Sequence, residues 1–256
     1  MTSSRTINFF RRALRIARTE LAAVSALFVV AAGLAIFANL AEDMREGEGQ
    51  AFDQAVLSAL RPHASPSDAW GPRWLEEGAG DLTSLGSIAV LMLFATIVIL
   101  FLFLQRKRLS GLLLLVGLGG GVMLSEGLKS VFERDRPPEI YRAVATINAS
   151  FPSGHALLSA VFYLSIAVML TRAFPRRRFK VYVLGVGVVL TLIVGLTRIY
   201  LGAHWTTDVL AGWSVGSAWA MTTWLVAYAI ERRQMVRHAR LRDEPSPDAD
   251  TPDTVA

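Results

Sequence analysis

Residues 82–104 read LTSLGSIAVLMLFATIVILFLFL and, after a four-residue break, residues 109–128 read LSGLLLLVGLGGGVMLSEGL. A bilayer core of roughly 30 Å takes about 20 helical residues, so each stretch is long enough to cross it. In lipid every backbone N–H and C=O must find its partner within the protein, and runs this long and continuous suit helices rather than barrel strands. Working outward, the same reading yields six spans: Leu21–Leu40, Leu82–Leu104, Leu109–Leu128, His155–Thr171, Val181–Thr197 and Asp208–Ile230. The expected fold class is all-α, a polytopic bundle of six transmembrane helices with an extracytoplasmic loop between the first two.

Composition agrees. Of 256 residues 53% are hydrophobic and the mean hydropathy is +0.42, too apolar for an ordinary soluble domain. No linker divides the chain, which reads as one membrane domain over 21–230 between a basic tail at 1–20 and a second tail at 231–256. From Asp243 onward Pro, Asp, Ser and Thr dominate, and disorder is expected. A basic start before an apolar run also describes a signal peptide. This run is longer than a usual signal core and no A-x-A-like site follows cleanly, so the span is expected to be retained.

Lysine and arginine set the orientation. Arg5, Arg11, Arg12, Arg15 and Arg18 precede span one. Arg106, Lys107 and Arg108 link spans two and three. Arg172, Arg176, Arg177, Arg178 and Lys180 link spans four and five, and Arg232, Arg233, Arg237, Arg240 and Arg242 follow span six. These clusters hold 18 of the 26 basic residues, all on one side, which is the expected cytoplasmic side with both termini. Such clustering explains the net charge of +5 by topology, without a nucleic-acid partner. The first external loop, Ala41–Asp81, carries nine carboxylates against Arg45, Arg61 and Arg73. Within it Ala51–Leu60 has an apolar helical rhythm, suited either to the membrane surface or to a solvated loop helix.

Chemistry has few candidates. The chain has no cysteine, which excludes disulfides and thiolate nucleophiles, and only four histidines: His63, His155, His204 and His238. Three external segments stand out: Lys129 to Arg136-Pro137 after span three, Phe151-Pro152-Ser153-Gly154-His155 opening span four, and Thr197-Arg198 with His204 and Asp208 between spans five and six. Charged groups at a span boundary face a polar cavity or one another rather than lipid, so Lys129, Arg136 and Arg198 are expected to converge. Arginine forks match phosphate oxygens and lysine adds a point charge. Pro152-Ser153-Gly154 opens a helix whose free N–H groups also favour an anion, with Ser153 as its cap. His204 and Asp208 are four apart and share a face if the turn before span six is helical. A carboxylate on one ring nitrogen fixes the tautomer and frees the other nitrogen to attack phosphorus. His155, from another helix, is placed to protonate the leaving oxygen.

These segments resemble the tripartite signature of the type 2 phosphatidic acid phosphatase family, which also includes vanadium haloperoxidases. Its K-x6-R-P, P-S-G-H and S-R-x5-H-x3-D elements correspond here to Lys129 through Arg136-Pro137, Pro152 through His155, and Arg198, His204 and Asp208 at matching spacings. The single departure is Thr197 where the signature has serine, which keeps the hydroxyl. The resemblance implies His204 as nucleophile, Asp208 orienting it, His155 as general acid, and Lys129, Arg136, Ser153, Gly154 and Arg198 holding the phosphate. It also implies hydrolysis without metal or other cofactor, and the signature residues include no carboxylate cluster suited to magnesium.

The remaining polar residues have plainer readings. His63 and His238 are expected to be structural, and Arg134 and Arg142 solvated charges. Glu126, in the last turn of span three, is expected to pair with Lys129 or another cation of the clamp. Gly117, Gly119, Gly120 and Gly121 suit close helix packing. Tyr200 and Trp205 suit an interfacial aromatic belt.

The expected function is hydrolysis of a lipid phosphate or diphosphate at the extracytoplasmic face of a bacterial inner membrane, through a phosphohistidine. An undecaprenyl diphosphate-like lipid is ranked first, then phosphatidylglycerol phosphate and phosphatidic acid. The expected partners are that lipid and the bilayer; the oligomeric state is left open. Two rivals use the same residues: a phosphotransferase to a lipid or glycolipid acceptor, and a transporter that binds anionic lipid without cleaving it. The transporter would need charged or broken mid-span segments, which the spans lack apart from Glu126.

Overall fold

The computed structural model describes residues 2–62, 68–144 and 148–243; His63 and the tail beyond Asp243 lie outside them, as do the side chains before Glu20 and after Arg237. Continuous apolar sequence produces long helices: α1 (Thr2–Glu46), α2 (Gln50–Ala59), α3 (Arg73–Thr83), α4 (Ile88–Leu104), α5 (Arg108–Phe132), α6 (Gly154–Ala173), α7 (Arg177–Tyr200) and α8 (Thr206–Asp243). No strand occurs among the described residues. The all-α membrane architecture is as expected. Glu20–Glu46 of α1, together with α5, α6 and α7, are each long and apolar enough to cross a bilayer. The outward-facing side chains are apolar, as lipid requires: Leu104, Phe28 and Val181 are all exposed.

Two spans take a different form from the expectation. Leu82–Leu104 is not one straight helix. It breaks through a short 3-10 turn at Ser84–Gly86, and Ser87 then caps α4 by accepting from the Val90 N–H. The segments on either side are bent by 48°, and together they qualify as a fifth crossing. At the break the chain packs tightly, since a Cβ at Gly86 would lie 2.3 Å from Val194 and 3.3 Å from His155. The sixth stretch, Asp208–Ile230, is helical within α8 but is not among the helices apolar enough to cross by that measure. Its lower hydropathy follows from its position. It packs against α1, α5 and α6 rather than lipid, so alanine, glycine, serine and threonine replace long apolar side chains.

Small residues set how closely α8 approaches its neighbours. A Cβ at Gly212 would sit 2.6 Å from the Ser153 carbonyl, one at Gly216 2.5 Å from the Leu157 carbonyl, and one at Gly33 of α1 2.6 Å from the Ser214 carbonyl. Backbones meet here as they do at small-residue crossings in membranes. Around this contact Leu91, Leu114, Leu118, Leu157, Leu158, Val161 and Val215 form the core between α4, α5, α6 and α8. On α5, Gly117, Gly120 and Gly121 face Thr223, Trp219 and Leu158 as expected, whereas Gly119 has no neighbour within 4 Å.

The segment between α1 and α4 also packs on the bundle. Helix α2 is exposed along most of its length, Phe52 included, but it buries Asp53 and Leu57 and contacts α8, while α3 packs on α7. The apolar rhythm read at Ala51–Leu60 is thus a protein-facing stripe carrying one buried carboxylate.

Candidate active site

Three chain reversals at one end of the bundle bring the signature residues together. Helix α5 stops where Glu133 turns left-handed at φ 43°, with Pro137 and Pro138 shortly beyond. That leaves Lys129 in its last turn and Arg134 and Arg136 on the linker. Helix α6 starts at Gly154, preceded by Phe151, which is fully buried and packs against Phe37 and Phe132 at ring distances of 5.8 and 5.0 Å. Between α7 and α8 the chain turns through Gly202 at φ 64°. A Cβ at Gly202 would meet the Tyr141 carbonyl at 2.1 Å, so only glycine fits there. Arg61, which follows α2, ties this turn down, donating to the Tyr141 and Tyr200 carbonyls at 2.9 Å each.

His204 precedes α8 instead of sharing a helix face with Asp208. The pair forms because Asp208 is the third residue of α8, and its carboxylate reaches back to accept from the Trp205 N–H at 2.9 Å, half of a capping box. The same oxygen, Oδ2, accepts from Ser150 and lies 3.5 Å from His204 Nδ1. Arg136 settles the tautomer. Its guanidinium is held by the carbonyls of Asn148, Ala149 and Ala203, and its Nη1 lies 3.1 Å from His204 Nε2. A guanidinium can only donate, so Nε2 presents its lone pair and Nδ1 carries the proton towards Asp208. Burial lowers the His204 pKa from 6.5 to about 4, against the raising influence of Asp208, and the nearby Arg136 and Arg198 lower it further. The ring is therefore neutral at physiological pH.

Lys129, Arg136, Gly154, His155, Arg198 and His204 line one cavity of about 210 Å³, together with Ser125 and Glu126. Of the eight site residues expected from the sequence, all but Ser153 and Asp208 thus border the same space. Ser153 adjoins it through Gly154, and Asp208 lies behind His204. Glu126 pairs with Lys129 at 2.8 Å, as expected. A Cβ at Gly154 would lie 3.3 Å from Lys129 Nζ and 3.2 Å from Ser125 Oγ, so glycine keeps the backbone open to the cavity at that point.

The hydrogen-bond tally is uneven. Five buried side-chain atoms have no partner among the described residues; two of them, Ser125 Oγ and Arg198 Nε, belong to residues that line this cavity, and a third, Ser153 Oγ, immediately precedes Gly154. Ser153 does not cap α6 with its hydroxyl, contrary to expectation. Arg198 has only a long contact of 3.3 Å, to Thr83. An orphaned buried donor is destabilising, by roughly 1–3 kcal/mol for a neutral group. Two such residues on the cavity wall, with Ser153 at the start of α6, leave a demand for acceptors that an oxyanion would meet.

The largest disagreement with the sequence reading is Arg134, which is not a solvated charge. Its side chain is 11% exposed and bridges Asp208 at 2.6 Å and Asp53 at 2.8 Å. Ser125 could have been found, since it shares a helix face with Lys129 at i, i+4. Asp53, Ser150 and Thr83 carry no local signal. Trp205 does more than sit at an interface, because its indole donates to the Asp135 carbonyl at 2.9 Å and lies under Arg134.

The family model described as PAP2 superfamily matches residues 110–232. Phosphatidylglycerophosphatase B of Bacillus subtilis is 33% identical over 183 residues, covering 70% of this chain and 85% of that protein. An undecaprenyl-diphosphatase of Sulfolobus acidocaldarius is 31% identical over 123 residues, covering 46% of this chain and 55% of that protein. The crystal structure of a transmembrane PAP2 type phosphatidylglycerolphosphate phosphatase from Bacillus subtilis superposes with a TM-score of 0.72 at 30% identity, covering 79% of this chain and 98% of that one.

Proposed function

From the premise that this chain belongs to the PAP2 superfamily, we propose that it removes phosphate from a membrane lipid through a covalent phosphohistidine at His204. The chain is a multi-pass membrane protein and a lipid phosphate phosphatase of PAP2 type. The observation that carries the finer reading is the cavity where cations, orphaned donors and two histidines meet.

In this mechanism Lys129, Arg136, Arg198, Ser153 and the Gly154 backbone hold the phosphoryl oxygens. His204 Nε2 attacks phosphorus while Asp208 keeps the Nδ1 proton in place. The phosphorus–oxygen bond to the lipid breaks as His155 delivers a proton to the leaving oxygen. Water then attacks the phosphohistidine, gives its proton back to His155, and the phosphorus–nitrogen bond breaks. The incoming anion itself raises the proton affinity of His155. Catalysis here is positioning and charge stabilisation, the main demand of phosphoryl transfer.

We place the site on the extracytoplasmic face of a bacterial inner membrane, with both termini inside, six crossings in a domain over 21–230, and tails at 1–20 and 231–256. The one-sided lysine and arginine clusters support this. For substrate, the ranking drawn from sequence is reversed. Phosphatidylglycerol phosphate comes first, because the relative named for it is matched over 85% of its length, against 55% for the undecaprenyl-diphosphatase.

The test is phosphate release by purified protein in excess EDTA, with phosphatidylglycerol phosphate, undecaprenyl diphosphate and phosphatidic acid. Wild type should release phosphate from the first fastest, and His204→Ala should lose roughly 10⁴-fold or more. Quenching wild type in base should trap an acid-labile phosphoprotein. Activity that survives in His204→Ala would sink the mechanism. Phosphate appearing on an added acceptor alcohol instead of in solution would make the protein a transferase.

A further inference from the structure

Behind the His204–Asp208 pair, on the side away from the cavity, lies a buried network that the signature does not include. Arg134 Nη1 donates to Asp208 Oδ1 at 2.6 Å and to Thr207 Oγ1 at 2.7 Å, and Nη2 donates to Asp53 Oδ2 at 2.8 Å. Asp53 in turn accepts from the Thr207 N–H at 2.9 Å and from the Thr207 hydroxyl at 2.6 Å. Asp53 is 1% exposed and Asp208 fully buried. Two carboxylates this close to one guanidinium, out of water, are tolerable only while the cation holds both.

We infer that Arg134, braced by Asp53 of α2, is a positioning residue that fixes Asp208 against His204, so that the external helix α2 is part of the catalytic apparatus. The geometry separates the work by oxygen. Oδ2 of Asp208 faces His204, Ser150 and the Trp205 N–H, while Oδ1 is anchored by Arg134 alone. Without that anchor the carboxylate is held only through Oδ2, by the Ser150 hydroxyl and the Trp205 N–H, and its plane is free to tilt away from the 3.5 Å contact to Nδ1. Thr207, next in chain to Asp208, is pinned to Asp53 through both backbone and side chain, so α2 also fixes the first turn of α8.

A purely structural bridge and a positioning one differ in their effect on His204. The charged or titratable groups around the pair are Arg134 and Arg136 on the linker, Arg198 of α7, His155 of α6 and Lys129 of α5. Removing Arg134 takes away the cation nearest to Asp208. The dyad becomes more negative, the imidazole protonates more readily, and the acid limb of kcat/KM must move to higher pH.

This inference rests on the mechanism proposed above, and the experiment separates the two. Full-length protein in detergent micelles carrying phosphatidylglycerol phosphate is assayed from acid to neutral pH as wild type, His204→Ala, Arg134→Lys, Arg134→Gln and the double variant Asp53→Asn/Arg134→Gln. The double variant removes the charges together and so guards against a folding failure of the single one, with thermal melting as the check. The expected result is a loss of about 10²-fold in kcat for the double variant, a KM within about threefold of wild type, an acid limb shifted upward, and partial recovery in Arg134→Lys. A folded double variant with wild-type kcat and an unmoved acid limb overturns the inference while leaving the mechanism intact. Activity in His204→Ala overturns both.

Discussion

The two sides of His204 are built on opposite rules. On the cavity side, Ser125 and Arg198, with Ser153 beside them at the start of α6, keep buried polar atoms without partners among the described residues. On the far side, Asp53, Arg134, Thr207 and Asp208 form a closed set in which the donors and acceptors described above are matched. Both regions are polar and buried at the same end of one helix bundle, so burial alone does not explain the contrast. What differs is the occupant each is made for. The closed side holds a carboxylate in one orientation permanently. The open side is left short of acceptors until a ligand brings them, and its incomplete bonding lowers stability in the free protein in exchange for affinity.

The sharpest way to test that contrast is to remove one group from each side and read activity and stability together. On the open side, Arg198→Gln should lower kcat/KM by roughly 10³-fold, because one donor to the phosphoryl oxygens is lost. Its melting temperature should stay level or rise, since a poorly paired buried cation goes with it. On the closed side, Asp53→Ala should reduce the unfolding free energy by roughly 3 kcal/mol, read by thermal or denaturant unfolding, because it strands Arg134 beside a single carboxylate. If Arg198→Gln proves the less stable of the two, the contrast is wrong.

A pH profile sharpens it next. Burial holds the His204 pKa near 4, so on the acid side kcat/KM should fall about tenfold per pH unit once pH drops below about 4, as the imidazole gains a proton and loses its lone pair. With a phosphate dianion bound, negative charge favours the imidazolium, and the acid limb of kcat should sit at higher pH than that of kcat/KM. Coincident limbs would mean the anion does not bind beside His204. The smallest effect belongs to Glu126, half-exposed at the cavity mouth and paired with Lys129. Glu126→Gln frees the lysine for the anion, so inhibition by inorganic phosphate should tighten by about threefold.

Much of this was legible in the sequence, and the reason it stopped where it did is physical. The apolar runs announce helices because lipid imposes one rule along the whole of a span, and the runs that became α5, α6 and α7 were placed within a few residues. Lys129, Arg136, His155, Arg198, His204 and Asp208 could be found because their spacings are short-range. Asp53 could not, since it meets Arg134 from 81 residues away and looks locally like any loop carboxylate. Arg134 was misread for the same cause, because whether a charge is solvated depends on what the distant chain lays over it. The break at Gly86 was hidden in a run read as one continuous span, and Val194, which the glycine packs against, sits on another helix. His204 and Asp208 have the spacing of helix neighbours, yet the turn at Gly202 and the cap at Trp205 decide how they meet.

The cavity's size has a kinetic meaning. About 210 Å³ takes a phosphate and the atoms nearest to it, not acyl or isoprenyl chains, and Ile88, Val122 and Leu158 form apolar parts of its wall. The tails of a lipid substrate therefore stay in the bilayer or micelle throughout the reaction. Encounter becomes a two-dimensional search, and the concentration that governs rate is a surface one. Diluting substrate with inert detergent at constant bulk molarity should slow turnover, while diluting the whole suspension at constant mole fraction should leave the specific rate nearly unchanged.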